Sequence, residues 1–338
     1  MTKLHLHIDI ETYSSVDITT CGSYKYFESP DFEILMVAYA INSDPIKIVD
    51  LTKYKGVEIP LDLETYLNDP NIEKHAHNAN FERNAFKAYG FDVPANEWFC
   101  SAVKAGYCGL PLSLFGASRA LQLKEYGKSA TGKALIKLFA CPVKPTKANG
   151  MKTRIFAEDQ PEKWEEFKNY CIQDVVAERE IVKRLARYKL PESERLNYFL
   201  DQKINDKGIL IDLNFAKNAF DIDNLFSAEL YDQMQAITKL DNPNSPAQLK
   251  KWLGDKTGKV ITTLAKGEIP ALIDGCESYD VQRVLELRQM NAKTSTKKYL
   301  AMLNCACDDN RAHGLFQFYG ANRTGRWAGR LIQMQNLP

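Results

Sequence analysis

Three acidic motifs in this sequence have residue types and spacings that favour metal-ion chemistry. In the first, Asp9 and Glu11 lie two residues apart within residues 4–11, where apolar and polar side chains alternate. This alternation is typical of a β-strand, so both carboxylates point to one face. Hard ions such as Mg²⁺ bind carboxylate and water oxygens, and two such ions about 3.5–4 Å apart can hydrolyse a phosphodiester. By itself, the Asp-x-Glu pattern also fits two surface acids on an edge strand.

The other two motifs lie further along the chain. Glu82 ends the run His-Asn-Ala-Asn-Phe-Glu, where a predicted strand passes into a predicted helix. Asp174 follows Tyr170 by four residues, a spacing that places both side chains on one face of a helix. Taken alone, Glu82 also fits an acid favoured at a helix start, and Tyr170 with Asp174 fits an ordinary surface pair.

The elements that would position these residues follow from hydrophobic periodicity. A long amphipathic helix is predicted at residues 161–186, introduced by Pro161. The pattern breaks near residue 190, which predicts a domain boundary, and the chain is then mainly helical to about residue 303. Strands are predicted at 4–11, 34–41, 46–51 and 72–77, and shorter helices at 79–89, 102–107, 113–121 and 132–138.

Composition indicates an ordinary globular protein. The 338 residues are 45% hydrophobic and 26% charged, which allows a sizeable core and suggests two domains. With 44 Lys and Arg against 43 Asp and Glu, the overall charge gives no sign of nucleic-acid binding. From residue 281 onward, however, nine basic residues face three acidic ones. This segment is therefore the candidate for contacts with phosphates.

Cysteine usage and the N-terminus predict a cytoplasmic protein. The eight cysteines include no Cys-x-x-Cys pair, so we interpret them as reduced core thiols. Met1 leads directly into the first predicted strand without a signal-peptide pattern, and no apolar run reaches membrane-spanning length.

His5 and His7 fall on the same predicted strand face as Asp9 and Glu11. This arrangement suggests a mixed histidine and carboxylate metal site. Packing within the sheet is the favoured interpretation.

In order, the three motifs resemble those of the DnaQ-like exonucleases, which have an RNase H-like fold. These motifs are Asp9-x-Glu11-Thr12, Asn78-x-x-Phe81-Glu82 and Tyr170-x-x-x-Asp174. The tyrosine form of the third motif is that of polymerase proofreading domains. The resemblance implies an α/β fold with a mixed sheet and two divalent ions, Mg²⁺ or Mn²⁺.

The resemblance also implies a role for each motif residue. Asp9 would bridge both ions, Glu11 and Asp174 would complete the shell of the first, and Glu82 would support the second. Tyr170 would orient the attacking water. Glu82 departs from the family pattern, in which this acid is usually Asp. DNA contacts are expected from Thr12, Asn78 and Phe81 in the same motifs.

The rest of the chain resembles a phage-type family A DNA polymerase. Residues 191–310 resemble its helical thumb domain, and the similarity is carried by three stretches, at 201–212, 244–249 and 287–299. Residues 320–338 resemble the segment with which its palm domain begins. The resemblance implies DNA contacts at Lys297, Arg323, Arg326 and Gln335. The paired palm carboxylates have no equivalent here, so no polymerase activity is expected from this chain alone.

These observations predict three domains and one leading function. The domains are a DnaQ-like exonuclease at 1–190, a thumb-like domain at 191–310 and an incomplete palm segment at 311–338. The function is 3′–5′ hydrolysis of DNA to 5′-monophosphates, in the cytoplasm of a bacterial or phage-infected cell. The expected partners are single-stranded 3′ ends, primer–template duplex and a separate polymerase subunit. The alternatives are a DNA-binding assembly module of a split polymerase with weak or no nuclease activity, and an RNA-trimming nuclease.

Overall fold

A five-stranded mixed sheet forms the centre of the N-terminal part of the chain. The structure is a computed structural model that describes residues 4–54, 58–123, 129–265, 267–291, 296–321 and 324–336. The sheet order is β3-β2-β1-β4-β5; β1 pairs antiparallel with β2 and parallel with β4. The predicted α/β fold with an RNase H-like mixed sheet is confirmed. Its strands are β1 (Leu4–Tyr13), β2 (Glu33–Ile41), β3 (Lys47–Asp50), β4 (Ile72–Ala76) and β5 (Trp98–Cys100).

Helices cover both faces of this sheet. All nine of the predicted strands and helices named above appear within about three residues of their expected bounds, including the long helix, whereas α1, α2 and β5 were not predicted. The helix α1 contains Gly22 with φ 79°, which breaks its helical pattern. The helices are α1 (Ile18–Phe27), α2 (Leu61–Asn68), α3 (Asn80–Ala88), α4 (Ser101–Tyr107), α5 (Leu114–Ala120), α6 (Ser129–Phe139), α7 (Pro161–Leu185) and α8 (Glu192–Lys207).

The alternation of side chains along β1 determines which helices pack against each face of the sheet. Leu6 and Ile8 belong to a core cluster that includes Phe86 of α3. On the other face, Met36 of β2 packs in a second cluster with Phe167 of α7. The odd-numbered residues of β1 therefore face α7, and His7 and Glu11 among them are buried.

Two short ribbons complete this unit. β6 (Ile209–Leu210) pairs with β7 (Arg311–Ala312), and β8 (Phe316–Ala321) pairs with β9 (Arg326–Gly329).

Five helices make up most of the second unit. The longest is capped at its N-terminus by Asp212, whose carboxylate accepts a hydrogen bond from the backbone N–H of Phe215 at 2.9 Å, and at its C-terminus by Lys239 with φ 59°. Its apolar face, with Leu230 and Met234, packs in a core with the neighbouring helices. The helices are α9 (Leu213–Thr238), α10 (Pro246–Thr257), α11 (Ile269–Asp274), α12 (Tyr279–Asn291) and α13 (Lys297–Cys305).

The compact units do not coincide with the domains predicted from sequence. One unit comprises Met1–Leu210 with Cys305–Gln335, and the other comprises Ile211–Asn304 with Asn336–Pro338. The helix α8 and the β7–β9 ribbons thus group with the sheet, whereas the expected boundaries lay near residues 190 and 310. The assignment of exonuclease, thumb-like and palm domains to residues 1–190, 191–310 and 311–338 stays a prediction. Within the described part of the chain, no helix has the length and apolarity needed to cross a bilayer.

Lys74 provides a stability test of the sheet. It lies on β4 with its side chain fully buried, and its ammonium donates to Glu97 Oε2 at 2.8 Å and to the backbone oxygen of Asp69 at 2.8 Å. Removing the partner of a buried charge is strongly destabilising. We expect Glu97→Gln to lower the free energy of unfolding by about 3 kcal/mol, measured by urea denaturation followed by circular dichroism.

The matched control is Asp92→Asn, which removes the partner of Lys87 in an exposed ion pair. Exposed pairs contribute at most about 1 kcal/mol. Equal urea midpoints for the two variants would show that the Lys74 pair does not stabilise the sheet.

Candidate metal centre

Three carboxylates meet where α7 crosses β1. Asp9 and Glu11 come from the odd-numbered face of β1, and Asp174 comes from α7; each offers an oxygen within 4.8 Å of the others. The contact between the two elements is close, because the Cys171 thiol donates to Asp9 Oδ2 at 3.5 Å. The structure therefore brings together three of the four acids that the motifs predicted.

Burial and mutual repulsion control the charge of this cluster. Burial raises the pKa of Asp9 well above its usual range, and the negative charges of Asp174 and Glu11 raise it further. The pKa of Glu11 is also raised well above its usual range, first by burial and then by Asp174. Burial raises the pKa of Asp174 to about 7, although a hydrogen bond from Tyr170 opposes this shift. Without a cation, the cluster therefore holds protons at pH values where carboxyls are normally ionised.

Glu82 lies close to the cluster but outside the group of three. It stands in the first turn of α3 and is 4% exposed, and its Oε2 has no hydrogen-bond partner among the described residues. Burial raises the pKa of Glu82 to about 8, and Glu178 contributes to that shift. Its charge in turn raises the pKa values of Asp9 and Glu11, so it lies within their electrostatic reach.

Tyr170 is held as a hydrogen-bond donor beside the cluster. Burial, followed by the charges of Asp174 and Glu11, raises the pKa of its phenol, which keeps the hydroxyl protonated at neutral pH. The phenol donates to Asp174. Its ring lies so close to Gly132 of α6 that a Cβ at that position would clash with it. Glycine at residue 132 thus allows α6 to pack directly over the tyrosine.

The remaining motif residues surround the junction of β4 and α3 or lie on β1. Thr12 is buried, and its Oγ1 is 3.0 Å from the hydroxyl of Tyr26. Asn78 is exposed in the turn before α3 with φ 76°, and Phe81 is half-buried with its ring 5.1 Å from that of Phe27. DNA contacts by Thr12, Asn78 and Phe81 stay predictions.

Three of the predicted DNA contacts in the last part of the chain are surface residues. Arg326 begins β9 and is exposed, and Gln335 is exposed with its amide packed against Gly329. Lys297 is exposed at the start of α13, in the other unit. Arg323 lies outside the described residues. DNA binding at these positions also stays a prediction.

Sequence analysis missed two polar residues that lie near the cluster, His75 and Glu178. The Nδ1 atom of His7 is 2.6 Å from Glu178 Oε2, and His5 Nδ1 is 2.9 Å from His75 Nε2. His5 and His7 thus have polar partners in addition to their packing within the sheet. Glu178 follows Asp174 by four residues, so the helical spacing already placed both acids on one face of α7. The position of His75 beside His7 depends on strand pairing, which no local pattern specified.

Comparison with known proteins gives one close relative by sequence. No family model matches the chain. A DNA polymerase of Bacillus phage SP02 is 51% identical over 334 residues, which covers 98% of this chain and 51% of the relative. The chain thus spans about half the length of that protein.

A solved structure supports the fold. The POL domain of Pol1 from M. smegmatis, in complex with DNA primer-template and dNTP, matches with a TM-score of 0.55. The match covers 99% of this chain and 52% of that chain at 16% identity, so it bears on the fold alone. The sequence match confirms the resemblance that the motifs predicted: over nearly its whole length, this chain is similar to one half of a phage DNA polymerase.

Proposed function

We propose that this chain is a metal-dependent 3′–5′ exonuclease that hydrolyses DNA to 5′-monophosphates, as the N-terminal part of a family A DNA polymerase. The observation that carries the proposal is the convergence of Asp9, Glu11 and Asp174 beneath α7. Three like charges with raised pKa values are costly to bury unless a cation compensates them. The relative with 51% identity is a DNA polymerase, which supports DNA as the substrate.

The donor set fits Mg²⁺ or Mn²⁺. All the candidate ligands offer carboxylate oxygens, which hard divalent ions prefer. Glu82 adds a buried oxygen that lacks a hydrogen-bond partner among the described residues, as expected for a group that supports an ion. Asp9, Glu11 and Asp174 would hold one ion, and Asp9 with Glu82 would hold the second. Bound there, the ions would activate water and stabilise the leaving oxygen.

The chain's own residues would orient the reaction. The protonated phenol of Tyr170 donates its one hydrogen to Asp174, so its oxygen can accept a hydrogen bond from the attacking water and orient it. Its position is fixed by α6 packing at Gly132 and by Asp174. The exposed Asn78 and half-buried Phe81 stand at the start of α3, where we place the terminal nucleotides of the DNA. Arg326, Gln335 and Lys297 would contact the phosphate backbone.

A direct test is incubation of 5′-labelled single-stranded DNA with the protein and Mg²⁺. A ladder of shortened products that retain the label, with release of 5′-mononucleotides, supports the proposal. An unshortened DNA that is nevertheless bound supports the alternative of a DNA-binding assembly module. Faster shortening of a matched RNA strand would favour the RNA-trimming alternative.

The first prediction concerns Asp9→Ala. We expect this variant to lose nuclease activity, because Asp9 is the residue placed to bridge both ions. Its fold should be retained or slightly stabilised without metal, since one of several repelling charges is gone. Retention of most of the wild-type rate in Mg²⁺, with an unchanged circular dichroism spectrum, would remove Asp9 from the mechanism.

The second prediction concerns stability against pH. Because the pKa of Glu82 is raised to about 8 and that of Asp174 to about 7, both favour the protonated form when folded. Their contribution to stability is complete below the unfolded pKa near 4 and is lost as pH rises through 7–8. In EDTA, the free energy of unfolding should fall by roughly 5–7 kcal/mol between pH 5 and pH 9.

Mn²⁺ should reverse this trend, because the ion binds the deprotonated cluster of the folded chain. Glu82→Gln is the matched control, which removes one titrating group and should reduce the fall in EDTA. Urea denaturation at several pH values measures both effects. A stability independent of pH and of Mn²⁺ would contradict the account.

The third prediction separates the roles of Tyr170 and Glu82. Tyr170→Phe should lower the exonuclease rate with little change in the Mg²⁺ concentration required, because the phenol positions water. Glu82→Gln should raise the Mg²⁺ concentration required, and added metal should recover part of the rate, because a neutral amide replaces a charged oxygen. The measurement is the rate against Mg²⁺ concentration. Wild-type behaviour of Glu82→Gln throughout would leave Glu82 as a simple helix-start acid.

A further inference from the structure

A second group of metal-ligating side chains lies farther along the contact between β1 and α7. His7 of β1 and His75 of β4 are direct partners in the parallel register, so their imidazoles stand side by side on one face. Glu178 of α7 reaches the same point, one helical turn beyond Asp174. Ligand atoms of His7, His75 and Glu178 all lie within 4.8 Å of one another.

This group is buried and incompletely satisfied. His7 is 7% exposed, His75 is 3% exposed and Glu178 is 2% exposed. Glu178 Oε2 lies 2.6 Å from His7 Nδ1, but Glu178 Oε1 has no hydrogen-bond partner among the described residues. The Nδ1 atom of His75 also lacks a partner there. A buried polar atom without a partner is unusual in a folded protein and needs an explanation such as a bound ion.

The donor chemistry differs from that of the carboxylate cluster. Two imidazole nitrogens and one carboxylate oxygen suit Zn²⁺ and similar transition ions, whereas Mg²⁺ prefers oxygen ligands alone. We propose that His7, His75 and Glu178 form a separate binding site for a zinc-class divalent ion. The ion takes the place of the His7–Glu178 hydrogen bond, and it gives a partner to the atoms of Glu178 and His75 that lack one among the described residues.

The site has a structural consequence for the chain. An ion bound there ties α7 to β1 and β4 at once, because each of the three elements supplies one ligand. It therefore fixes the helix that carries Asp174 and Tyr170. The proposal does not depend on the proposed nuclease, since none of its ligands belongs to the carboxylate cluster.

Co²⁺, a spectroscopic substitute for Zn²⁺, is the probe for the test. The starting protein is the full chain carrying Asp9→Asn and Asp174→Asn, which disables the carboxylate cluster. We expect one Co²⁺ per chain, visible absorption bands typical of nitrogen ligation, and displacement by one equivalent of Zn²⁺. His75→Gln and Glu178→Gln, each added to this background, should weaken Zn²⁺ binding at least about tenfold.

His313→Gln is the matched control, because His313 is bonded to the backbone oxygen of Asp206 away from these residues. It should bind Zn²⁺ as the starting protein does. Circular dichroism verifies the fold of each variant. If a variant does not fold, the Co²⁺ spectrum of the unsubstituted chain tests for nitrogen ligation instead. Two results would overturn the proposal. One is the absence of nitrogen-ligated Co²⁺ in both the starting protein and the unsubstituted chain. The other is Zn²⁺ binding that stays undiminished in both folded ligand variants.

Discussion

The packing of α7 against β1 is the contact on which the rest of this unit depends. Both elements are amphipathic in an unusual sense, because the face that each buries carries ionisable groups beside its apolar residues. Cys171 and Val175 are fully buried against the sheet, and Asp174 lies beside them on the same helix. The hydrophobic contact thus forces carboxylates together in a place with little water. This arrangement is costly without a counter-ion and well suited to binding one.

The same geometry explains why pKa values are shifted along the contact. A carboxylate that is buried beside others favours its protonated form, and Asp9 and Glu82 show this effect most clearly. Perturbed groups of this kind concentrate at functional sites, although structural networks also produce them. Here the network includes a phenol kept protonated at Tyr170. A donor beside a cluster of acceptors gives the site both a place for cations and a group that can orient water.

Sequence analysis predicted the parts of this arrangement that depend on local patterns. The alternation along β1 placed Asp9 and Glu11 on one face, and the helical spacing in α7 placed Tyr170 and Asp174 on one face. Sequence could not show that His75 lies beside His7, because that contact depends on the pairing of β1 with β4. Short or kinked elements were also missed: β5 has three residues, and α1 is interrupted at Gly22. The return of residues 305–335 to the first unit is a long-range contact that composition does not record.

The most direct measurement of the central claim is the position of metal ions in a crystal of this chain grown with Mn²⁺ and a DNA strand. Anomalous scattering identifies Mn²⁺ without reference to the protein coordinates. The account predicts two ions about 3.5–4 Å apart among Asp9, Glu11, Glu82 and Asp174, with the 3′-terminal phosphodiester between them. An ordered DNA 3′ end bound elsewhere, with no Mn²⁺ among these carboxylates, would contradict it.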